Sequence, residues 1–552
     1  MLVVGNFDHA LGDRDIIVEK QSGKLQCISE LHPSYLSLQY LLLFPYGEDG
    51  YTKFIGFSDS AASSLSNRKR VSPKKFYSYR IHDRVSECSI ILYARRLFQQ
   101  FIVDAYTMIE FGRLAYVRTQ QKKLQAEIYS GLEEAVLHGE TDSSRHGKRI
   151  ILPSSFVGGA RYMIQNYQDA MAICRWIGYP NLFITFTRNP KCLRLVVIYT
   201  IEFQKHGLPH VHILLFLSNE DKQPHPRRID EIISAEIPDP LIDPYYHECV
   251  KELMMHGPCG VVRKSSPCMR DGRCTKYYPK KFVSNIAVDD DGYPIYRSRD
   301  NGRFVVKDGV PLDNRYVVPH NRFLVMKYGG HINVEWCNQS RSIKYLFKYV
   351  HKGYDRVTTS FCQSGVDGVE RNLDEVSLYY DCRYVSSCEA AWRIFGFEIQ
   401  YKDPSVERLS FHLPNEQHII FDEADSLDNV MSRRTIHESK FLGWMETNKI
   451  YSEGRNLTYG EFSSKFVWKK NHWKPRKQRY SIGMLFYVAP GYGDMYYLRC
   501  LLNVIKGATC FEDLRFVNDV QYDCHDPIFA EDSKNGYFAT NRAIKETRIE
   551  RG

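Results

Sequence analysis

The sequence predicts an α+β protein, and three observations support this fold class. Apolar residues recur at three-and-four spacing between about Tyr77 and Leu137, which is the period of amphipathic helices. Short β-rich runs follow at 181–217. From about Glu375 to Val520 short strands alternate with turns, which predicts a β-rich C-terminal region. With 552 residues, of which 43% are hydrophobic, the chain can bury several domain-sized cores.

Composition restricts the partners and the compartment. The 74 Lys and Arg residues exceed the 65 Asp and Glu residues, and the net charge of +9 suits a polyanionic partner without requiring one. Fifteen cysteines without a secretory segment indicate a reducing, intracellular compartment, where cysteine clusters more often hold metal than form disulfides. No window approaches the roughly 18 apolar residues of a membrane span, so we expect a soluble protein without a membrane partner.

Three β-rich runs predict the centre of a sheet. The run "NLFITF" (181–186) is soon followed by Asn189-Pro190, a turn signal. The runs "LVVIYTIEF" (195–203) and "VHILLFL" (211–217) flank a short segment that contains Gly207 and Pro209. These two runs are therefore predicted to form a hairpin.

Two histidines stand at the start of the last run. Because side chains alternate along a strand, His210 and His212 share one face about 7 Å apart, close enough to ligate one ion. A third ligand is expected from the opposing strand, as Glu202 or Gln204. A carboxylate beside two imidazoles suits Mg²⁺ or Mn²⁺ with positions open for a phosphate oxygen. The alternative is one histidine capping the strand and one hydrogen-bonded in the core.

A predicted helix carries two tyrosines. The segment 337–356 has a helical pattern with a glycine stop signal near Gly353. Tyr345 and Tyr349 stack four residues apart, away from the apolar stripe. In the functional interpretation the two tyrosines attack a phosphodiester, and neighbouring lysines bind the DNA. In the alternative they are surface tyrosines next to a solvated lysine face. The cations form a neighbouring row: Lys344, Lys348 and Lys352.

A cysteine-rich segment, residues 254–282, contains a possible zinc site. Its candidate ligands are separated by two, eight and five intervening residues, and they are His256, Cys259, Cys268 and Cys274. One imidazole and three thiolates form a suitable tetrahedral set for structural Zn²⁺. The segment lacks a tight Cys-x-x-Cys pair, so the spacing alone also fits a loop without metal.

The motifs together resemble a known family. Segments such as "LHPSYLSLQYLLLFPYGEDGY" (31–51), "YTIEFQKHGLPHVHILL" (199–215), "HGPCG", "HINVEWCNQSRSIKYLFKYVHKGYD" and "SKFVWKKNHWKPRK" occur in order over roughly residues 23–522. In these segments the chain resembles the helicase-like, replication-initiator (HUH, His-hydrophobe-His) nuclease part of Helitron transposases. Helitrons are rolling-circle DNA transposons.

That resemblance implies a chemistry for the motifs. It implies that His210 and His212 bind the catalytic metal and that Tyr345 and Tyr349 are the nucleophiles. A tyrosine oxygen would attack single-stranded DNA, form a 5′-phosphotyrosine and release a 3′-hydroxyl. It also implies an antiparallel-sheet nuclease core with flanking helices, a zinc-binding insertion and a nuclear location.

The resemblance also divides the chain into regions. Full-length Helitron proteins carry a helicase after the nuclease part, but the sequence contains no G-x-x-x-x-G-K-[ST] loop, so we expect a truncated element without ATPase activity. The expected regions are a mixed N-terminal segment (1–75), a helical part of the helicase-like domain (76–150), the nuclease core (151–217 with 318–360), the Cys-rich insertion (218–317), a β-rich region (361–522) and a divergent tail (523–552).

One departure from the family leaves the function open. The family usually has several tens more residues between "TRNPK" and "LVVIYTIEF", where this chain has only residues 192–194. One interpretation is a nuclease and strand transferase, active or inactivated by this deletion. A second is a non-catalytic remnant that still binds single-stranded nucleic acid. A third is a degenerate product without a stable core.

Overall fold

The structure is a computed structural model, and it divides into two compact units. One unit comprises residues 1–117, 154–167 and 179–402, and the other comprises 118–153, 168–178 and 403–552. The residues that the structure describes are 2–4, 16–57, 69–85, 87–121, 124–128, 148–149, 153–186, 196–203, 208–217, 226–289, 294–337, 379, 383–422, 425–431, 438–517 and 520–521.

Helices and strands alternate along the described chain, which confirms the mixed α+β class. The α-helices are Tyr35–Gln39, Pro73–Arg80, Ile90–Tyr93, Arg96–Gln121, Ala160–Ile177, Pro226–Ile232, Pro244–Leu253, Arg322–Tyr328, Ser387–Phe395, Leu427–Met431, Lys440–Ile450, Tyr459–Phe462 and Asp494–Leu501. Short 3₁₀ helices occur at Asn314–Tyr316, Gly454–Asn456, Pro490–Tyr492 and Asp513–Arg515. None of the helices in the described ranges is long and apolar enough to cross a membrane.

The strands are short, as the β-rich runs predicted. They are Leu2–Val4, Ile16–Glu19, Leu25–Ile28, Leu124–Ile128, Lys148–Arg149, Leu182–Phe186, Val196–Phe203, Pro209–Phe216, Met269–Arg270, Arg273–Cys274, Ala287–Val288, Pro294–Ile295, Phe304–Lys307, Val310–Asp313, Ile332–Trp336, Arg383–Val385, Gln400–Asp403, Ser405–Leu409, His418–Asp422, Phe466–Lys469, His472–Pro475, Ser481–Leu485, Phe516–Val517 and Val520–Gln521.

A five-stranded sheet forms the centre of the first unit. Its strand order is 332–336, 182–186, 209–216, 196–203 and 400–403, and the first four strands pair antiparallel with their neighbours. The strands 196–203 and 209–216 form the hairpin that the sequence predicted. We call this pair the histidine hairpin, because its second strand carries His210 and His212.

Both faces of this sheet are buried. On one face Ile184, Ile213 and Val334 pack in a core shared with helices 226–232 and 244–253. The opposite face, which carries the histidines, buries four apolar side chains: Phe183, Ile198, Leu214 and Phe216. Burial on both faces explains why "VHILLFL" is a continuous apolar run rather than an alternating one.

Strands 182–186 and 196–203 lie on either side of strand 209–216 and run parallel to each other. Phe186 pairs with Val211, and Val196 pairs with Phe216. The short link between them, residues 187–195, lies outside the described residues.

Local signals define the helices beside the sheet. Helix 244–253 begins at Asp243, whose side chain accepts a hydrogen bond from the Tyr246 N–H at 3.1 Å, with Pro244 in the first turn. Helix 322–328 begins at Asn321, which caps the Leu324 N–H in the same way, and it ends at Gly329 with φ +53°. The sequence therefore fixes where these helices start and stop.

Residues 254–282, the zinc segment, are attached to the edge of the sheet. The Val334 N–H on the edge strand donates to the Pro319 carbonyl at 2.9 Å. Further from the sheet, the Val318 N–H donates to the Met254 carbonyl, and the His256 N–H donates to the Tyr316 carbonyl, each at 2.8 Å. This backbone ladder connects the candidate zinc ligands to the sheet that carries the histidine hairpin.

The described part of the region predicted as β-rich, residues 361–522, contains helices as well as strands. Helices 440–450 and 494–501 pack with a parallel pair of strands, 405–409 and 481–485, around a core that includes Trp444. The sequence predicted short strands alternating with turns here, but capping side chains also start helices. Ser439 caps helix 440–450, and a reciprocal capping box between Thr458 and Glu461 starts helix 459–462.

Replacing Phe216 tests the burial of the histidine-bearing face. Phe216 is 2% exposed, whereas Phe323 in the same unit is 65% exposed. We expect Phe216→Ala to lower the free energy of unfolding by about 3–5 kcal/mol, because it leaves a cavity in a packed sheet. Phe323→Ala, the matched control, should change it by less than about 1 kcal/mol. Urea unfolding monitored by circular dichroism measures both changes, and equal shifts would contradict the described packing.

Candidate functional site

The histidine hairpin places both imidazoles on one face of the sheet. Their ring centroids lie 5.1 Å apart with an interplanar angle of 61°. His212 is 6% exposed, and its ring stacks on Phe183 at 5.8 Å and 6°. His210 is half-buried at the start of the strand. The packing holds His212 in one orientation, while His210 keeps a solvent-accessible side.

Glu202 completes a cluster with the two histidines. It pairs directly with His210 across the hairpin, and its Oε2 atom lies 3.1 Å from Nε2 of His212. Of the two candidates for a third ligand, Glu202 contacts the pair, and Gln204 lies outside the described residues. Two imidazoles and one carboxylate are donors that suit a divalent cation with open coordination positions.

Electrostatics keep His210 neutral at physiological pH. The pKa of His210 is lowered to about 4, mainly by burial and next by the positive charge that His212 would carry, and the Glu202 carboxylate opposes this shift. A neutral imidazole has a free electron pair for a metal ion, whereas an imidazolium does not. His210 is therefore in the protonation state that metal binding requires.

A row of polar side chains crosses the sheet beside His212. Thr200 pairs with His212 on one side, Thr185 pairs with it on the other, and Asn333 pairs with Thr185. The Oγ1 atom of Thr200 and the Oδ1 atom of Asn333 are buried and have no hydrogen-bond partner among the described residues. Sequence reasoning missed this row; the alternation of Thr200 with Glu202 in "YTIEF" was the available signal.

The predicted nucleophiles Tyr345 and Tyr349 lie outside the described residues, as do the predicted DNA-binding residues Lys344, Lys348 and Lys352. The described stretch that precedes them ends at Cys337, which is buried and donates its N–H to the Asn181 carbonyl at 2.8 Å. The neighbouring Trp336 pairs with Leu182, at the end of the sheet away from His210.

The four candidate zinc ligands come together in the zinc segment. The ligand atoms of His256, Cys259, Cys268 and Cys274 all lie within 4.8 Å of one another. Nε2 of His256 is 3.4 Å from Sγ of Cys274, close to the roughly 3.6 Å that tetrahedral bonds to Zn²⁺ would give. The donor set and its spacing therefore fit a metal such as zinc.

Two tight turns bring these ligands together. Met269–Arg270 and Arg273–Cys274 form a two-residue hairpin whose turn residues, Asp271 and Gly272, have φ +49° and +73°. The turn places Cys268 beside Cys274, and the Thr275 N–H donates to the Cys268 carbonyl at 2.8 Å. The Asp-Gly pair was the sequence signal for this hairpin, and it substitutes for a Cys-x-x-Cys knuckle.

Glycine is required in the other tight turn, which joins His256 to Cys259. Gly257 has φ +101°, and a Cβ atom there would lie 3.1 Å from the Cys259 backbone nitrogen. A side chain at this position would push the backbone of Cys259 away from His256. The "HGPCG" motif is thus a compact turn between two candidate ligands.

Burial and neighbouring groups shift the pKa values of these candidate ligands. The pKa of His256 is lowered to about 4 by burial and then by Lys276 and Lys280, which leaves the imidazole neutral. Burial raises the pKa of Cys259 to about 12. Burial also raises the pKa of Cys274, but hydrogen bonds from the backbone N–H groups of Tyr278 and Lys276 stabilise its thiolate. The pKa of Cys274 is therefore below its ordinary value.

Comparison with protein families identifies one region of the chain. The family model described as the Helitron helicase-like domain at the N-terminus matches residues 76–196. The match includes helix 96–121 and strand 182–186 and ends before His210 and His212. A search of curated proteins finds no match. This match indicates a Helitron-related function that involves nucleic acid. The resemblance to Helitron proteins is therefore confirmed for residues 76–196, which are similar to the Helitron helicase-like domain.

Proposed function

We propose that this chain is a Helitron-type rolling-circle endonuclease and strand transferase that acts on single-stranded DNA. The observation that carries the proposal is the cluster on the histidine hairpin, where Glu202 lies 3.1 Å from His212 and pairs with His210. If the two histidines had only a structural role, the Glu202 carboxylate against His212 and the neutral imidazole of His210 beside it would not be needed. The family match at 76–196 supports the same assignment.

In this proposal His210, His212 and Glu202 hold Mg²⁺ or Mn²⁺. When bound, the ion supplies Lewis-acid polarisation of the scissile phosphate. The imidazoles of His210 and His212 would bind the ion through their ring nitrogens, and the Glu202 carboxylate would offset part of the added charge. Phe183 restrains the His212 ring by stacking, so little ordering of that ligand is needed on binding.

Tyr345 and Tyr349 are the proposed nucleophiles. The phenolic oxygen of one tyrosine forms a bond to phosphorus, the bond from phosphorus to the 3′ oxygen breaks, and the leaving oxygen takes up a proton as a 3′-hydroxyl. The phenol loses its own proton in the same step. The second tyrosine allows a second strand to be cut or rejoined while the first end stays attached. The neighbouring phosphates are contacted by Lys344, Lys348 and Lys352 in this proposal.

The zinc segment holds structural Zn²⁺ in this proposal. Few apolar side chains in this segment are buried, whereas Cys259 and Cys274 are 3% and 8% exposed. Metal bonds would therefore supply the stability that a hydrophobic core supplies elsewhere. A nuclear location follows from the proposed DNA chemistry.

A non-catalytic single-strand binding protein is the second candidate. The family match covers residues 76–196 and does not include the histidine pair. The resemblance also implies several tens more residues in the family where this chain has only residues 192–194. In this alternative the basic zinc segment still binds nucleic acid while cleavage is lost. Binding without covalent adduct formation would separate the two candidates.

Adduct formation tests the nuclease. Purified protein is mixed with labelled single-stranded DNA and Mn²⁺ and examined on a denaturing gel. We expect a covalent adduct that disappears with chelator and falls at least about 100-fold in His212→Ala, because the metal loses a ligand. Tyr345→Phe and Tyr349→Phe should each reduce the adduct, and the double variant should abolish it.

The matched control for that experiment is His472→Ala, an exposed histidine in the second unit. It should leave adduct formation unchanged. An adduct that persists in chelator or in the double tyrosine variant would contradict the proposed chemistry. A well-folded wild-type protein that binds DNA and forms no adduct would favour the second candidate.

Metal analysis tests the zinc site. Protein purified without chelator should contain one zinc ion per chain, and Cys274→Ser should lose it because one of four ligands is weakened. The thermal unfolding temperature should fall in parallel. Cys388→Ser, at an exposed cysteine outside the cluster, is the control and should retain the metal. Zinc-free wild-type protein, or zinc retained in Cys274→Ser, would rule out this ligand set.

A further inference from the structure

The zinc segment has a strongly asymmetric charge. Between residues 256 and 282 it contains seven basic residues and one acidic residue, Asp271, and all eight are exposed. The net charge of the entire chain is only +9, so this short segment contributes most of the imbalance. Such a concentration of charge favours a polyanion. The basic residues are Arg263, Lys264, Arg270, Arg273, Lys276, Lys280 and Lys281.

An aromatic ring is displayed within this basic surface. Tyr277 is 81% exposed and has φ +58°, a left-handed conformation that is unusual for an aromatic residue. Its backbone N–H donates to the Cys274 carbonyl at 2.9 Å, so the turn is tied to a candidate zinc ligand. Strained backbone of this kind persists where surrounding contacts impose it. The zinc segment therefore holds the Tyr277 ring outward.

The adjacent tyrosine shows how the turn is anchored. The Tyr278 ring stacks on the His256 imidazole, with centroids 4.1 Å apart and an angle of 19°. The Lys280 Nζ atom lies 5.0 Å from the Tyr278 centroid and 5.8 Å from the Tyr277 centroid. One tyrosine thus fixes the turn to the candidate metal site, and the other presents a ring to solvent beside a cation.

The zinc segment is joined to the sheet that carries the histidine hairpin. The backbone ladder from Val334 through residues 316–319 to His256 makes this connection at the sheet edge.

We propose that the zinc segment is a binding site for single-stranded DNA, in which an unpaired base stacks on Tyr277 and Lys276, Lys280 and Lys281 contact the phosphates. The substrate class rests on the proposed function, and the site adds a contact surface that the histidine and tyrosine motifs do not include. An exposed ring beside cations is the arrangement that binds unpaired bases and their backbone together. A duplex keeps its bases stacked, so it cannot use Tyr277 in this way.

Fluorescence anisotropy with a labelled 15-residue oligo-dT tests this proposal on the full chain with its zinc bound and with no Mg²⁺ or Mn²⁺ added. Tyr277→Ala should raise Kd about 5–150-fold, because stacking on one aromatic ring contributes about 1–3 kcal/mol per base. Tyr277→Phe should stay within about threefold of wild type, since the ring is kept. Lys281→Ala should reduce the slope of log K against log salt by about 0.7.

The control is Tyr46→Ala, which removes a tyrosine that is 90% exposed elsewhere in the same unit. It should leave Kd unchanged, and zinc content measured on every variant separates a lost contact from a lost fold. Unchanged Kd in Tyr277→Ala, an equal loss in Tyr277→Phe, or equal weakening of a 15-base-pair duplex would overturn the proposal.

This result is independent of the nuclease assay. If a histidine-dependent adduct forms and Tyr277→Ala binds oligo-dT as wild type does, the stacking site is wrong and the nuclease stands. If Tyr277→Ala loses binding and the wild-type protein forms no adduct, the stacking site stands and the nuclease is wrong.

Discussion

The register of the histidine hairpin is the constraint on which the rest of the site depends. Pairing Glu202 with His210 and Thr200 with His212 puts the polar side chains on one face and Val211, Ile213 and Leu215 in the core. A slip of one residue would exchange the two faces and bury the imidazoles among aliphatic side chains. The hydrophobic core therefore enforces the register, and the register assembles the candidate metal ligands.

The same sheet organises the second cluster through its edge. Hydrogen bonds from Val334 to Pro319, from Val318 to Met254 and from His256 to Tyr316 extend the backbone pairing to the candidate zinc ligands. The zinc segment has little core, so in the proposed function a bound metal and this ladder would together stabilise its shape. The ladder joins the basic, aromatic surface to the sheet that carries the proposed catalytic centre.

Sequence periodicity predicted what is local in this structure. Alternation along one strand was enough to place His210 and His212 on one face, and residue chemistry was enough to select the four candidate zinc ligands. The polar row through Asn333, Thr185 and Thr200 was not predicted, because it depends on the order in which distant strands pair. Helix 440–450 was not predicted, although Ser439 was available in the sequence as its N-cap. The roles of Tyr345 and Tyr349 stay predictions.

The most direct test of the central claim is whether one Mn²⁺ ion binds between His210, His212 and Glu202. Pulsed electron paramagnetic resonance on zinc-loaded protein with added Mn²⁺ detects imidazole nitrogens bound to the ion. The account predicts coupling of Mn²⁺ to nitrogens of both histidines in the wild type. The coupling should be lost in the double variant His210→Ala with His212→Ala and retained in Cys388→Ser. Mn²⁺ that shows no histidine coupling in folded wild-type protein would contradict the account.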